Sequence, residues 1–100
     1  MEIQIEKGNG QTTAFLKGRL DTPAAVEITP VMDDLAADAA GTVILDCSEL
    51  AYISSSGLRL FLTLRKAAAQ HGGRVIVRSI NDVIRSVFMM TGFLNLFEIQ

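Results

Sequence analysis

Two short apolar runs with one amphipathic segment between them restrict the possible folds of this chain more than any other feature. Residues 42–47 (TVILDC) and 74–79 (RVIVRS) are rich in β-branched side chains, which predicts strands covered on both faces. Residues 57–70 have helical periodicity, with one stripe formed by Leu58, Phe61, Leu62 and Arg65 and a second by Leu60, Leu64 and Ala67. A strand, a helix and a strand in this order predict a right-handed crossover between parallel strands.

A hairpin and a helix are predicted before this unit. Residues 2–7 and 11–17 alternate between apolar and polar side chains, and residues 8–10 (GNG) between them suit a tight turn. A helix is predicted over 22–41, because its first two residues, Thr-Pro, are a helix-start signal and its last is a glycine. Pro30 is expected to kink or divide this helix.

A third helix is predicted over 81–92. Asn81 or Asp82 is expected to cap its start, and Gly92 is expected to end it in a left-handed conformation. Its predicted apolar face consists of Val83, Ile84, Val87 and Phe88. Met89 and Met90 are expected to fill the core as well.

The predicted element order is β-β-α-β-α-β-α-β, with a last strand at 96–99. This order predicts an α/β fold with a small mixed β-sheet, in which the opening hairpin supplies the antiparallel part. Binding sites in such sheets lie beyond the carboxyl ends of the strands. Residues 48–56, expected to form a loop, follow such an end, so we look for a site there.

Size and composition narrow the class of protein. The chain has 100 residues, 49% of them hydrophobic, which predicts one globular domain over 1–100. The net charge is −2 and the basic residues do not form a nucleic-acid footprint, so no nucleic-acid partner is expected. No apolar run reaches the roughly 20 residues of a membrane span and the acidic start is unlike a signal peptide, so we expect a cytoplasmic protein. Cys47 lies in an apolar run and is predicted to be buried.

Three consecutive serines, residues 54–56, follow the predicted strand and precede the predicted helix 57–70. A serine hydrolase of the nucleophile-elbow type needs Gly-x-Ser-x-Gly, and Ile53 occupies the position of the first glycine. The only histidine, His71, is predicted at the far end of the helix, about 20 Å from the serines, so a general base is missing. One His and one Cys do not make a metal-ligand set. The sequence therefore predicts neither an enzyme nor a metal site.

Two other roles for the serines stay open on residue types alone. Ser55 or Ser56 is expected to cap the helix, because a serine hydroxyl accepts an unpaired N–H of the first turn. A phosphate acceptor is the second possibility, because a helix N-terminus favours an anion and Gly57 would let another backbone approach closely. Asp21 and Asp46 are candidate acidic neighbours, although turn and cap chemistry also explains them.

Three segments of the chain resemble the STAS domain, in particular the bacterial anti-sigma factor antagonists. They are residues 18–22 (GRLDT), 43–62 (VILDCSELAYISSSGLRLFL) and 72–99 (GGRVIVRSINDVIRSVFMMTGFLNLFEI). The most specific part is the pattern Asp-x-Ser-x-Leu followed by Ser-Ser-Gly-Leu. The resemblance implies a small mixed sheet with helices mainly on one face.

The resemblance also implies a regulatory role in a partner-switching cycle. In that family, the unphosphorylated antagonist binds an anti-sigma factor that is also a serine kinase, and phosphorylation by this kinase ends the binding. A serine phosphatase resets the cycle, and the antagonist needs no cofactor. The implied phosphoacceptor is Ser55, with Ser54 and Ser56 as competing sites, and Ser54 stands where the family has an aspartate. The implied contact residues are Asp21, Thr22, Ser56, Gly57, Leu58 and Arg59.

A second class of function is compatible with the same family. Single STAS domains also serve as subunits of transport or sensory assemblies, where they act as interaction modules without a phosphate cycle. Phosphorylation at Ser55 distinguishes the two hypotheses.

Overall fold

The computed structural model describes residues 1–37 and 41–100, and its elements follow the predicted order. They are β1 (Glu2–Gly8), β2 (Gln11–Leu20), α1 (Thr22–Ala37), β3 (Thr42–Ile53), α2 (Ser55–Gln70), β4 (Arg74–Arg78), α3 (Asp82–Thr91), a 3₁₀ turn (Phe93–Asn95) and β5 (Glu98–Ile99). The predicted helix 22–41 includes residues 38–40, which lie outside the described residues.

One mixed sheet joins the strands in the order β1-β2-β3-β4-β5. The pair β1-β2 is antiparallel and the other three pairs are parallel. Asn9 and Gly10 form the hairpin turn with φ of 45° and 77°, and Gly8 pairs with Gln11 across it. Positive φ at both central residues is the reason that Asn-Gly is preferred in two-residue hairpins. The predicted hairpin and mixed sheet are therefore confirmed.

The three helices pack on one face of the sheet, as the family resemblance implied. Side chains alternate between the two faces of a strand, and those on the helix-facing side join the helices in one hydrophobic core. The strand residues in this core include Ala14, Leu16, Val43, Leu45, Val75 and Val77. Phe61 of α2 and Phe88 of α3 meet edge to face at its centre, with ring centroids 6.3 Å apart. Ile44 and Ile76 are buried but lie outside this core, on the opposite face.

The opposite face carries a hydrogen-bonded ion pair at its middle. Arg78 and Asp46 are neighbours across β4 and β3, and Arg78 Nη2 lies 2.9 Å from Asp46 Oδ2. Ser48 donates to Asp46 Oδ1 through both its N–H (3.0 Å) and its hydroxyl (2.7 Å). Burial alone would raise the pKa of Asp46, but the hydrogen bonds from Ser48 and Arg78 and the Arg78 charge outweigh it, so this pKa lies below its ordinary value. We call Asp46, Ser48 and Arg78 the sheet-face cluster.

Strand β3 is longer than predicted. The apolar run 42–47 predicted its end at Cys47, but pairing with β2 continues to Ile53 through two register shifts. Residues 48–53 are therefore strand and not loop, so Asp46 lies within the strand, away from the serines. The polar residues that suggested a loop lie on the helix-free side of the sheet, where Glu49 Oε2 lies 3.5 Å from Lys17 Nζ of β2. The predicted burial of Cys47 is confirmed, and burial raises the pKa of its thiol to about 12.

The structure differs from three expectations about the helices. Pro30 does not divide α1, which is continuous from Thr22 to Ala37. In α3, Ile84 and Phe88 are buried as predicted, but Val83 is 56% exposed, because the short helix turns only one narrow face to the core. Met89 and Met90, expected in the core, are 65% and 80% exposed. The predicted start and end of α3 are confirmed, with Asn81 as its N-cap and a left-handed Gly92 (φ 79°) at its end.

Candidate functional site

Strands β2 and β3 end side by side, and helices α1 and α2 begin directly after them. Leu20 pairs with Ile53, and the N–H of Ser54 donates to the carbonyl of Leu20 over 2.8 Å. The N-termini of both helices, with their unpaired N–H groups, therefore lie next to each other at this edge of the sheet. We call this region the serine edge and define it as residues 19–22 and 52–59.

Ser54 is the N-cap of α2. Its backbone is extended, its hydroxyl oxygen accepts the N–H of Gly57 (3.2 Å), and its carbonyl accepts the N–H of Leu58 (2.9 Å). The side chain is buried, with 9% of the residue exposed. The expectation that Ser55 or Ser56 caps the helix was therefore wrong, because α2 begins at Ser55, two residues before the start at residue 57 that the periodicity indicated.

Ser55 is the first residue of α2 and is exposed, whereas Ser56 is half-buried. Neither hydroxyl has a hydrogen-bond partner within residues 1–37 and 41–100. The three serines thus differ in accessibility. The hydroxyl of Ser54 is engaged in the helix cap, and Ser55 is the most exposed of the three residues.

Gly57 and Leu58 lie inside the protein. A Cβ at Gly57 would stand 2.7 Å from Leu20 Cγ and 2.9 Å from Ile53 Cγ1, so only glycine lets the first turn of α2 pack this closely on the strand ends. The close approach is therefore internal and does not involve a partner's backbone. Leu58 is only 7% exposed and belongs to the core. Both residues hold the serines in place, and neither presents a side chain at the surface.

Asp21 caps the other helix at this edge. Its Oδ1 accepts the N–H of Ala24 (3.0 Å) and its carbonyl accepts the N–H of Ala25 (2.9 Å). Thr22, which follows it, is exposed and is the first residue of α1. The carboxylate of Asp21 is therefore already committed to a backbone donor, although it still contributes its charge to the serine edge.

Arg59 lies one helical turn after Ser55 and is exposed. It borders a shallow groove of about 250 Å³ between α1 and α2, lined by Ala25, Val26, Thr29, Ser56, Arg59, Leu60 and Thr63. Within the described ranges 1–37 and 41–100, its side chain forms no hydrogen bond or ion pair.

Sequence reasoning did not identify a contact between Arg19 and Tyr52 on the other side of this edge. The two residues are neighbours across β2 and β3, and the guanidinium carbon of Arg19 lies 4.3 Å from the centre of the Tyr52 ring. Only the register of the strand pair reveals this contact. In the sequence, 32 residues lie between Arg19 and Tyr52, and no motif or periodic pattern links the two.

Within residues 1–37 and 41–100, no helix is long and apolar enough to cross a membrane. In the same part of the chain, no three His, Cys, Asp or Glu side chains are grouped closely enough to hold a metal ion.

Comparison with known proteins identifies the family. The family model of the STAS domain matches residues 2–100. The chain belongs to the STAS domain family. This confirms the resemblance inferred from the serine motif and its flanking segments.

Relatives and solved structures agree with this assignment. BtrV of Bordetella bronchiseptica, which carries the name of an anti-sigma factor antagonist, is 29% identical over 99 residues, covering 99% of this STAS domain and 85% of BtrV. The structure of the anti-sigma factor antagonist SpoIIAA in its unphosphorylated form superposes with a TM-score of 0.82 at 21% identity, covering 99% of this chain and 88% of SpoIIAA. The phosphorylated form of the Bacillus protein SpoIIAA gives a TM-score of 0.75 at 24% identity, covering 99% and 91% of the two chains.

Proposed function

We propose that this STAS domain is an anti-sigma factor antagonist that acts in a partner-switching cycle, with Ser55 as its phosphoacceptor. The observation that carries the proposal is the difference among the three serines. The hydroxyl of Ser54 is buried in the cap of α2, whereas that of Ser55 is exposed on the first turn. The name of BtrV and the two solved forms of SpoIIAA, one of them phosphorylated, support a phosphate cycle.

In the unmodified state, the serine edge would bind an anti-sigma factor that is also a serine kinase. Its accessible residues are Asp21, Thr22, Ser55, Ser56 and Arg59. Gly57 and Leu58, also implied by the family resemblance, would act from the interior by setting the position of the first turn. The two adjacent helix N-termini make this edge a surface that favours acidic groups of a partner.

The kinase would transfer the γ-phosphoryl group of ATP to Oγ of Ser55. A new O–P bond forms, the bond between the β- and γ-phosphates breaks, ADP leaves and the hydroxyl proton is released. The product carries nearly two additional negative charges at the centre of the docking surface. Like charges facing each other across an interface cost several kcal/mol, so the complex would separate and a phosphatase would later restore the hydroxyl. Such a cycle belongs in the cytoplasm, where the kinase finds ATP.

The proposal is tested by incubating the protein with its cognate kinase and ATP and measuring the intact mass. We expect the addition of one phosphate that maps to Ser55 and is lost in Ser55→Ala. Ser56→Ala is the matched control and should be modified at close to the wild-type rate. Efficient phosphorylation of Ser55→Ala would refute the site, and a protein that binds the kinase but never gains a phosphate would favour a non-phosphorylated interaction module.

A further inference from the structure

We propose that Arg59 binds the phosphate on Ser55 within the same chain and thereby withdraws from the docking surface when the domain is modified. This inference rests on the proposed function, because it assumes that Ser55 is the residue that carries the phosphate. It assigns a regulatory role to a side chain that the proposed function treats only as a contact residue.

The positions of the two residues on α2 permit the contact. Ser55 is the first residue of the helix and Arg59 follows four positions later, so both lie on the same side of the helix. Residues at this spacing have Cβ atoms about 5–6 Å apart, a distance that an arginine side chain spans easily. The guanidinium can donate two parallel N–H bonds to phosphate oxygens, which a lysine cannot do.

The charge of Arg59 is unfavourably placed in the unmodified protein. A cation near a helix N-terminus opposes the helix dipole, and α2 has no acidic residue in its first turn to offset it. Arg85 occupies a similar position in α3, but Asp82 lies three residues before it in the first turn of that helix. The sequence therefore provides an internal acidic neighbour in α3 and none in α2.

Of the five other arginines, all but Arg85 have a partner among the described residues. Arg65 donates to the carbonyl of Leu96, Arg74 pairs with Glu98, Arg78 pairs with Asp46, and Arg19 lies over Tyr52. Arg59 forms no such contact with residues 1–37 or 41–100 and remains exposed beside the groove between α1 and α2. A phosphate on Ser55 would supply the missing anion without any movement of the backbone.

This arrangement makes the modification act twice on the docking surface. Unmodified, the guanidinium of Arg59 is available to a carboxylate of the partner. Phosphorylated, the same guanidinium is held by the phosphate, so the partner meets a new negative charge and also loses a cation that it could have bound. The internal pair would leave the fold of the domain unchanged.

The test places phosphoserine at position 55 by genetic code expansion and follows the second ionisation of the phosphate by ³¹P NMR across a pH titration. Four proteins are compared, namely the otherwise unchanged sequence, Arg59→Ala, Arg59→Lys and Lys66→Ala. Lys66→Ala is the matched control, because it removes one exposed positive charge from the same helix three turns from Ser55.

We expect Arg59→Ala to raise the phosphate pKa by a few tenths of a pH unit, the scale of a helical i, i+4 ion pair. Arg59→Lys should give an intermediate value and Lys66→Ala should leave the value unchanged. In concentrated urea, all four values should coincide, because the pair depends on the folded helix. Equal phosphate pKa values in the folded wild type and Arg59→Ala would overturn the proposal, and so would an equal shift in Lys66→Ala.

The outcome separates this inference from the proposed function. The titration uses no kinase and no partner. A shift of the phosphate pKa that occurs only in the Arg59 variants would therefore support the internal pair even if the cognate kinase failed to modify Ser55. Conversely, efficient phosphorylation of Ser55 together with no effect of Arg59→Ala would retain the cycle and refute the internal pair.

Discussion

The sheet-face cluster lies on strands β3 and β4, the serine edge lies where β2 and β3 end and α1 and α2 begin, and the two regions treat their polar and charged groups in opposite ways. In the cluster, Asp46 accepts bonds from Ser48 and Arg78, and the two charges neutralise each other. At the serine edge, the hydroxyl of Ser55 and the guanidinium of Arg59 are exposed and have no partner within the described residues.

This difference separates groups that stabilise the fold from groups that are available for binding. A buried polar group is costly unless it is hydrogen-bonded, so a satisfied cluster contributes to stability. An exposed group without partners contributes little to folding and can be modified or bound without loss of structure. Changes in the cluster should therefore alter the free energy of unfolding, whereas changes at Ser55 and Arg59 should alter partner binding.

The largest expected loss of stability comes from Arg78→Ala. The change leaves the carboxylate of Asp46, which is 7% exposed, without its counter-charge. We expect the free energy of unfolding to fall by about 2–3 kcal/mol, measured by urea denaturation. Arg85→Ala removes an exposed arginine and is the control, with an expected change below about 0.5 kcal/mol. Equal effects of the two substitutions would show that the sheet-face cluster contributes no more to stability than an exposed arginine does.

Gly57→Ala should be the next most destabilising change. The added methyl group would overlap Leu20 and Ile53, and we expect a loss of about 1–3 kcal/mol in the free energy of unfolding. Gly8→Ala is the control, because no atom lies within 4 Å of a Cβ built at Gly8. If Gly57→Ala were as stable as Gly8→Ala, the first turn of α2 would not depend on the close approach described above.

Ser54→Ala should have a smaller effect. It removes the hydroxyl that caps α2 and should cost about 1 kcal/mol of unfolding free energy. Ser55→Ala, one residue later, should change that free energy by less than about 0.5 kcal/mol. Thermal or urea unfolding of the Ser54→Ala and Ser55→Ala variants compares the capping serine with the exposed serine directly. A reversed order would mean that the cap and the accessible hydroxyl had been assigned to the wrong serines.

The smallest expected effect is on pH dependence. The pKa of Asp46 is lower in the folded protein than its ordinary value, so this residue adds stability above about pH 4 and loses that contribution as the pH falls through its folded pKa. Urea denaturation between pH 2 and pH 7 should show a steeper acid-side loss for wild type than for Asp46→Asn. Identical pH profiles would show that the ion pair does not favour the ionised carboxylate.

The sequence predicted the element order well, for definite physical reasons. Asn9-Gly10 selects its hairpin, and the buried strands and amphipathic helices have distinct periodicities. The end of β3 was missed because Ser48 and Glu49 are polar, although they are compatible with a strand whose one face has no helix. The alternation of apolar and polar residues along a strand does not show which face of the sheet the helices cover.

The roles of the individual serines could not be predicted from residue types. Three identical side chains have equal propensity to cap a helix, and the choice depends on where the backbone leaves the extended conformation. That point is set by the hydrogen bond from Ser54 to Leu20, which joins residues far apart in sequence. The burial of Leu58, implied earlier as a contact, depends on the same tertiary packing.

The most direct test of the account is a calorimetric comparison of two forms of the protein binding to the cognate anti-sigma factor. One form is unmodified and the other carries phosphoserine at position 55, and thermal unfolding confirms that both are folded. We expect phosphorylation to weaken binding by at least about 100-fold, the effect of placing like charges across an interface. Equal affinity of the two folded forms would contradict the claim that Ser55 controls docking.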